Sequence, residues 1–530
     1  MLARILVNEP IDPAGIELLQ KEHEVVRRDC SPSELLTVIG EFDALIVRSA
    51  TDVTADVIAA GRRLQVIGRA GVGVNNIDVE AATARGVVVV NVPDGNTIAA
   101  AEHTFALMLA QMRHIPAAVA RVKAGGWDRH GFVGRELNGK TLGVVGLGRV
   151  GQEVSKRALA FGMRVIGYDP YLPAERAEAM GIRFLPFEEV LSGAEILTVH
   201  TPLTKQTRGM IGARELGLLR PGAVVINAAR GGIIQEAALL EALRSGHLQG
   251  AALDVFEEEP PTDNPLVNMP NVVVTPHLGA STREAQILSA VDVARFVGAV
   301  LAGEPVPTAV NLPTLSQGDW EQVKRLLPLG EVLGRLYIQA LAAPLGEVEI
   351  TSGELPGRGS EWVTGAVLKG LLTGVVEDVV NLVNAGTVAR QNGINVAFTQ
   401  RREMGATTVQ VRVKASGQAH SLTGAVEPDG DLRVTDFDGL PIEMTPTRYM
   451  LVTRHQDRPG LIGGLGTMLG KAGVNIASML VGRASIRGEA VMVLSVDDPV
   501  PEATLAELRA LPNVEHVRWV ELPEALITNG

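Results

Sequence analysis

At 530 residues the chain exceeds what a single hydrophobic core supports, and at roughly 100–200 residues per domain it predicts three to five units. Hydrophobic residues make up 46% and charged residues 20%, which argues against disorder, and a net charge of −12 argues against a general nucleic-acid or anionic-membrane binder. Cys30 is the single cysteine, which removes intramolecular disulfides and multi-cysteine metal sites and fits a reducing cytoplasm; no metal is expected.

The N-terminus, MLARILVNEP, reads as a short strand entering a turn, not as a signal peptide, and no apolar run reaches the length of a membrane span, so a cytoplasmic protein is expected. Strand and helix patterns then alternate: LARILVN, AGIELLQKE, EVVRRD, SELLTVIG and ALIVRS, followed by LQVIGRAGVG and VVVVNVP. Such alternation implies a parallel sheet. It breaks at a long helical stretch near AAAEHTFALMLAQMRHI.

A second alternating series opens with TLGVVGLGRVG and runs through RVIGYDP, EILTVHTP, AVVINAARG, GAALDVF and VVVTPH. Its strands are nearly continuous apolar runs, as in a parallel sheet covered by helices on both faces. TREAQILSAVDVARFVGAVLAG follows as a long amphipathic helix without a strand of its own. Residues 313–446 have weaker periodicity, with TTVQVRVKA and DLRVTDF suggesting antiparallel strands in an α+β unit. From Arg448 the order is βαββαβ, a ferredoxin-like module.

In the second series Gly146, Gly148 and Gly151 follow an apolar strand and open a helix, and the next strand ends in Asp169, about 20 residues on. The first glycine permits the turn, the second lets backbone approach a diphosphate, and the third lets helix and strand pack closely, while the helix N-terminus offers free N–H groups. Asp169 would accept hydrogen bonds from ribose hydroxyls and repel a 2′-phosphate, which favours NAD over NADP.

Three more strand ends carry chemistry: Arg230 in NAARGG, Glu259 in DVFEEEP and His277 in TPHLGAS. Oxidation of a hydroxy acid needs a fork for the carboxylate, a base for the hydroxyl proton and a group that orients the base; arginine, histidine and glutamate answer in that order. Each also has a plain alternative, as a cap, a loop histidine or a solvated acidic turn. His103, on the helical stretch, and His200, before a loop proline, are read as structural.

ELNGKTLGVVGLGRVG, HTPLT, NAARGG, ALDVFEEEP and TPHLGAST, in this order, resemble the D-isomer-specific 2-hydroxyacid dehydrogenases over residues 1 to about 312. The resemblance implies two Rossmann-like parallel-sheet domains: a discontinuous substrate domain, 1–96 and 285–312, and an inserted NAD-binding domain, 97–284. It implies catalytic roles for Arg230, Glu259 and His277. It further implies cofactor contacts at Val72, Gly146, Gly148, Arg149, Val150, Gly151, Asp169, Thr201, Ala228, Ala229, Arg230, Asp254, His277, Leu278, Gly279 and Ala280.

IVRSAT, IGRAGVGVNNID with Arg69, and DGNTIAAAE resemble substrate-holding segments of the phosphoglycerate dehydrogenase branch of that family, with Arg48, Ser49, Val72, Gly73, Asn96 and Arg230 as implied contacts. The implied reaction is oxidation of 3-phospho-D-glycerate to 3-phosphohydroxypyruvate. NLVNAGTVARQNGINV resembles the intervening domain of the long form, placed at 313–446, where Arg401 and Arg402 could attract an anion but read more simply as solvated surface. The last segment, 447–530, resembles an ACT domain in which His455, Asp457 and Asn475 match serine-binding positions. A homodimer or homotetramer, with L-serine as effector, follows from the likeness. Two alternatives stay open: a dehydrogenase of glyoxylate or another small hydroxy acid, and a non-catalytic sensor of NAD(H) and an amino acid.

Overall fold

The structure is a computed structural model that describes residues 2–304, 306, 309–377 and 379–527. Residues 305, 307 and 308 of the expected returning segment, Asp378 of the intervening unit and the last three residues of the terminal one lie outside that description. Among the described residues no helix is long and apolar enough to cross a membrane.

The first sheet is parallel, with β1 (Arg4–Val7), β2 (Glu24–Arg27), β3 (Ala44–Val47), β4 (Val66–Arg69) and β5 (Val88–Val90) in the order β2-β1-β3-β4-β5. Its helices begin where the sequence provides caps: Asp12 bonds the Ala14 N–H ahead of Pro13, and Ser31 with Glu34 forms a reciprocal capping box. The strand order reverses between β1 and β3, so the loops leaving those strands, at Glu9 and Arg48, border the crevice where ligands bind in open α/β sheets.

The second sheet contains β6 (Thr141–Val145), β7 (Arg164–Tyr168), β8 (Arg183–Phe184), β9 (Ile196–Val199), β10 (Ala223–Asn227), β11 (Leu248–Leu253) and β12 (Val272–Val274). All pairs are parallel, in the order β12-β11-β10-β9-β6-β7-β8, with the reversal between β6 and β9. The glycine-rich turn leaves β6 at that reversal. Two helices carry the chain between the sheets. Helix Thr97–Met112 buries Ala101, Phe105, Met108 and Met112 in the core of the second sheet, whereas helix Arg283–Leu301 places Ala290, Val293, Ala294 and Val297 in that of the first.

The third unit has a six-stranded sheet: β13 (Glu347–Ser352), β14 (Asn395–Gln400), β15 (Thr408–Ala415), β16 (Gln418–Val426), β17 (Leu432–Phe437) and β18 (Leu440–Met444). Its order is β14-β13-β15-β16-β17-β18, antiparallel apart from β13 with β14. Against it lie helices Leu326–Leu336 and Gly359–Leu372; the second is apolar on most sides because most sides are buried, so no helical stripe stands out there, whereas the first carries the ion pair of Glu331 and Arg335 among its apolar residues. A methyl group at Gly334 would stand 2.4 Å from the Val367 carbonyl oxygen and one at Gly370 2.2 Å from that of Glu331, so glycine lets the two backbones meet.

The last sheet, β19 (Tyr449–Gln456), β20 (Ile476–Arg483), β21 (Glu489–Val496) and β22 (Val514–Glu521), has the ferredoxin-like order β20-β21-β19-β22. Leu451, Met492, Leu494 and Val517 face its two helices, while Met450, Val452, Val491, Val493 and Val520 join the core of the third unit. Core packing is therefore continuous across residue 446, where composition alone suggests a boundary, because helices cover only one face of the terminal sheet.

Candidate active site

The turn after β6 is shaped for a close approach. Gly146 has φ +94°, and a methyl group there would stand 2.7 Å from the His200 carbonyl oxygen; one at Gly151 would stand 2.0 Å from that of Gly146. Gly148 caps the helix Arg149–Ala160 and faces open space, so a diphosphate can reach the free N–H groups of the first turn. Asp169 directly follows β7 beside this turn, its carboxylate accepting from the N–H of Leu147 at 2.8 Å and of Tyr171 at 2.8 Å. Across the reversal point the Thr201 hydroxyl is buried with no hydrogen-bond partner among the described residues, a polar group suited to a ligand in this crevice. These features fit a dinucleotide. Beside them His200 bonds Thr198 at 2.9 Å, and burial pushes its pKa down to about 4, so its imidazole is neutral at pH 7.

Arg230 follows β10, where Asn227 donates to the Arg230 carbonyl at 3.0 Å and fixes the turn. Its guanidinium projects to the first domain: a methyl group on Gly73 would lie 2.9 Å from Arg230 Nη2. Burial lowers the Arg230 pKa and nearby Glu259 opposes the shift. Glu259 follows β11. One of its carboxylate oxygens accepts from the Phe256 N–H at 3.1 Å; the other lies 2.7 Å from His277 Nδ1. The imidazole is thus held at Nδ1, with Nε2 left for the cleft.

The loop of His277 hangs on Asp254. His277 has φ +55°, an uncommon backbone for a residue other than glycine, and its N–H donates to the Asp254 carbonyl at 2.9 Å. The next two N–H groups, of Leu278 and Gly279, donate to the Asp254 carboxylate at 2.7 and 2.9 Å. Thr275 Oγ1 donates to it at 2.6 Å and His103 Nε2 lies 3.0 Å from it. Burial alone would raise the Asp254 pKa; bonds from His103, Thr275 and Leu278 outweigh it and keep the carboxyl below its ordinary range. Asp254, a resemblance-implied cofactor contact, has a side chain with 0% exposure. His103 lies on a helix as expected, but it also bonds the carboxylate that carries this loop.

On the facing side, Arg48 leaves β3 and Arg69 ends β4, one register position apart. Burial, reinforced by the positive charges of Arg230 and Arg48, pushes the Arg69 pKa down to about 10, with Glu9 opposing, so Arg69 stays protonated at neutral pH. Its Nε is buried and unpartnered among the described residues. Glu9 accepts from the N–H groups of Arg48, Thr51 and Ala50 at 2.9, 2.9 and 3.2 Å, and Asn76 donates to the carbonyls of Arg48 and Thr51. Ser49 is exposed, and Asn91 ties down the Val72 carbonyl beside Gly73. Asn96 immediately precedes the 97–112 helix and makes no side-chain capping bond to it. Arg149 pairs with Asp94 at 2.5 Å, joining the first domain to the cofactor helix. Of these, Glu9 and Asp94 escape sequence reasoning; Glu9 could have been found by the same strand-end rule that singles out Arg48.

This assembly of a dinucleotide turn with an acid–base pair has relatives of known type. Residues 105–279 match the family model described as D-isomer specific 2-hydroxyacid dehydrogenase, NAD binding domain; 322–438 match the D-3-phosphoglycerate dehydrogenase intervening domain, and 449–513 the ACT domain. The chain is 44% identical over 98% of its length to D-3-phosphoglycerate dehydrogenase of Synechocystis sp., covering 95% of that protein. With the enzyme of that description from Methanocaldococcus jannaschii it is again 44% identical, over 98% of this chain and all of the other. The chain belongs to the D-3-phosphoglycerate dehydrogenase family. D-lactate dehydrogenase from Aquifex aeolicus, solved with NAD and lactic acid, matches 59% of this chain and 100% of its own with TM-score 0.54 and 27% identity. The enzyme is thus an NAD-dependent oxidoreductase with two further domains after its catalytic part.

In the terminal domain the three effector candidates are each engaged separately. His455 is buried, bonds Thr453 at 3.1 Å, and burial lowers its pKa. Asp457 pairs with Arg483 at 2.9 Å, which lowers its pKa, and Asn475 donates to Asp497 at 2.6 Å. Arg402 pairs with Glu354 at 2.7 Å and is mostly exposed, in keeping with its reading as surface.

Proposed function

We infer that the enzyme oxidises 3-phospho-D-glycerate at C2 to 3-phosphohydroxypyruvate, the entry to L-serine synthesis, within a substrate domain of residues 1–96 and 285–312 and a cofactor domain of 97–284. The observation that carries this reading is the His277–Glu259 pair, 2.7 Å apart, beside Arg230 and opposite Arg48 and Arg69. Bound NAD+ supplies the acceptor for the C2 hydride. Arg230 binds the substrate carboxylate through its planar fork and holds C2 in the cleft. His277 Nε2 removes the C2 hydroxyl proton, and Glu259 at Nδ1 stabilises the resulting imidazolium. Arg48 faces the phosphate, whose negative charge relieves its repulsion with nearby Arg69, while Asn96 and the Val72–Gly73 backbone line the pocket.

The cofactor lies along Gly146, Gly148, Arg149, Val150 and Gly151, its ribose at Asp169, with Thr201, Ala228, Ala229 and the 277–280 loop around the nicotinamide end. L-serine acts on the ACT domain through His455, Asp457 and Asn475 in a cytoplasmic homodimer or homotetramer. The test is NADH oxidation with 3-phosphohydroxypyruvate against glyoxylate and hydroxypyruvate, with and without L-serine. A strong preference for the phosphorylated acid, lowered by serine, is expected. Equal rates on all three acids would defeat the substrate assignment, and indifference to serine would defeat the effector assignment.

A further inference from the structure

Asn96 stands at the N-terminus of the 97–112 helix, and seven residues on, about 20° short of two full turns, the same helix presents His103. This helix begins where the chain leaves the first domain. A methyl group at Gly95 would stand 2.6 Å from Ser289 Oγ on the 283–301 helix, so the two connections between domains meet there. His103 Nε2 lies 3.0 Å from Asp254 Oδ1 and 3.1 Å from Thr275 Oγ1. Since Thr275 donates its own hydroxyl proton to that carboxylate at 2.6 Å, the imidazole is the N–H partner of both oxygens and carries its proton on Nε2.

The carboxylate so held orders the catalytic loop. Asp254 receives three successive N–H groups, those of His277 on its carbonyl and of Leu278 and Gly279 on its two carboxylate oxygens. The left-handed backbone at His277 is an arrangement that an isolated chain would leave, so it depends on these bonds. We propose that His103 is a positioning residue for the reaction: through Asp254 it fixes the His277 loop and ties that loop to the helix that begins after Asn96. His103 touches neither substrate nor cofactor. Its effect is transmitted by a buried carboxylate with no exposed surface of its own.

The proposal rests on the dehydrogenase reading above, and its test separates the two. His103→Phe keeps a ring of similar size and removes the N–H; His103→Gln returns a donor near Nε2; Thr275→Val removes the other side-chain donor without changing shape. Each purified full-length variant is examined for NADH binding by fluorescence, for kcat and KM with 3-phosphohydroxypyruvate, and for hydrogen exchange over residues 276–280. Expected for His103→Phe is a kcat lowered about ten- to a hundredfold, with KM and NADH affinity within about threefold, because a small misplacement of the base acts on the chemical step. The amides of Leu278 and Gly279 exchange faster, and His103→Gln recovers most of the loss. Thr275→Val gives the same signature more weakly.

Unchanged exchange at those amides in His103→Phe, or a glutamine variant no better than the phenylalanine one, overturns the proposal. If His103→Phe does not fold, Thr275→Val decides alone: faster exchange with lowered kcat supports it and parental behaviour overturns it. Failure of the unmodified enzyme to turn over any hydroxy or keto acid would strike the dehydrogenase reading instead, while the exchange result would still judge the positioning role.

Discussion

The catalytic half and the C-terminal half use their polar residues in opposite ways. In residues 1–301, strand ends far apart in sequence deliver Arg48, Arg69, Arg230, Glu259 and His277 to one crevice, where like charges are left close together and a histidine stands 46% exposed. In the terminal domain His455, Asp457 and Asn475 are each satisfied by a different neighbour within the chain. A parallel sheet gathers its loops at one edge, so a site follows from topology. An antiparallel sheet distributes its loops over both ends, and here its open face is spent on packing against the third unit.

The sharpest way to break this comparison is at the base. His277→Ala is expected to lower kcat about 10²- to 10⁴-fold with NADH binding retained, read by steady-state kinetics and fluorescence titration. Substantial remaining turnover would remove His277 from the mechanism. Arg230→Ala should lower kcat/KM by about a hundredfold, and Arg230→Lys should restore little because lysine lacks the planar fork. Full rescue by lysine would mean that Arg230 supplies charge alone.

Gly151→Ala tests the cofactor turn: its methyl group would clash with the Gly146 carbonyl, so NADH affinity should fall about tenfold or more in a titration. Unaltered affinity would place the dinucleotide elsewhere. In the C-terminal half, Arg454 of β19 joins Asp438 of the third unit at 2.9 Å and also pairs with Glu489. Asp438 lies 2.9 Å from His420 Nδ1. Arg454→Ala is expected to weaken any serine response and to lower Tm by about 2–4 °C while basal turnover stays near the parent value, since its ion-pair partners, Asp438 and Glu489, both lie outside the first two domains. Loss of basal turnover would show the two halves to be more tightly joined than their site chemistry suggests.

The smallest effect is on acid stability. His200, with its pKa lowered from an ordinary 6.5 to about 4, binds a proton in the unfolded chain before it does in the folded one. Its stabilising contribution is therefore complete above about pH 6.5 and is lost progressively as pH falls toward 4. Burial lowers His455 in the same direction. His200→Gln should shrink the drop in Tm between pH 7 and 4.5 by about 2–4 °C; an unchanged slope would reject the buried neutral imidazole.

The sequence by itself determined the alternation of strands and helices, the dinucleotide turn with Asp169, the three strand-end residues and the βαββαβ order of the last domain. Each is encoded locally, in glycines at a turn, in the two-residue or near-four-residue period of apolar side chains, or in residues that end a strand. Only tertiary structure decided that His103 reaches Asp254 across 151 positions, that Glu9 holds the Arg48 loop, that Asp94 meets Arg149, and that the terminal sheet shares a core with its neighbour. The helix Gly359–Leu372 of the third unit escaped for a related reason: with most of its faces covered, little polar side remains to mark the period. Contacts between elements distant in the chain depend on how sheets stack and cross, and no short stretch of residues records that arrangement.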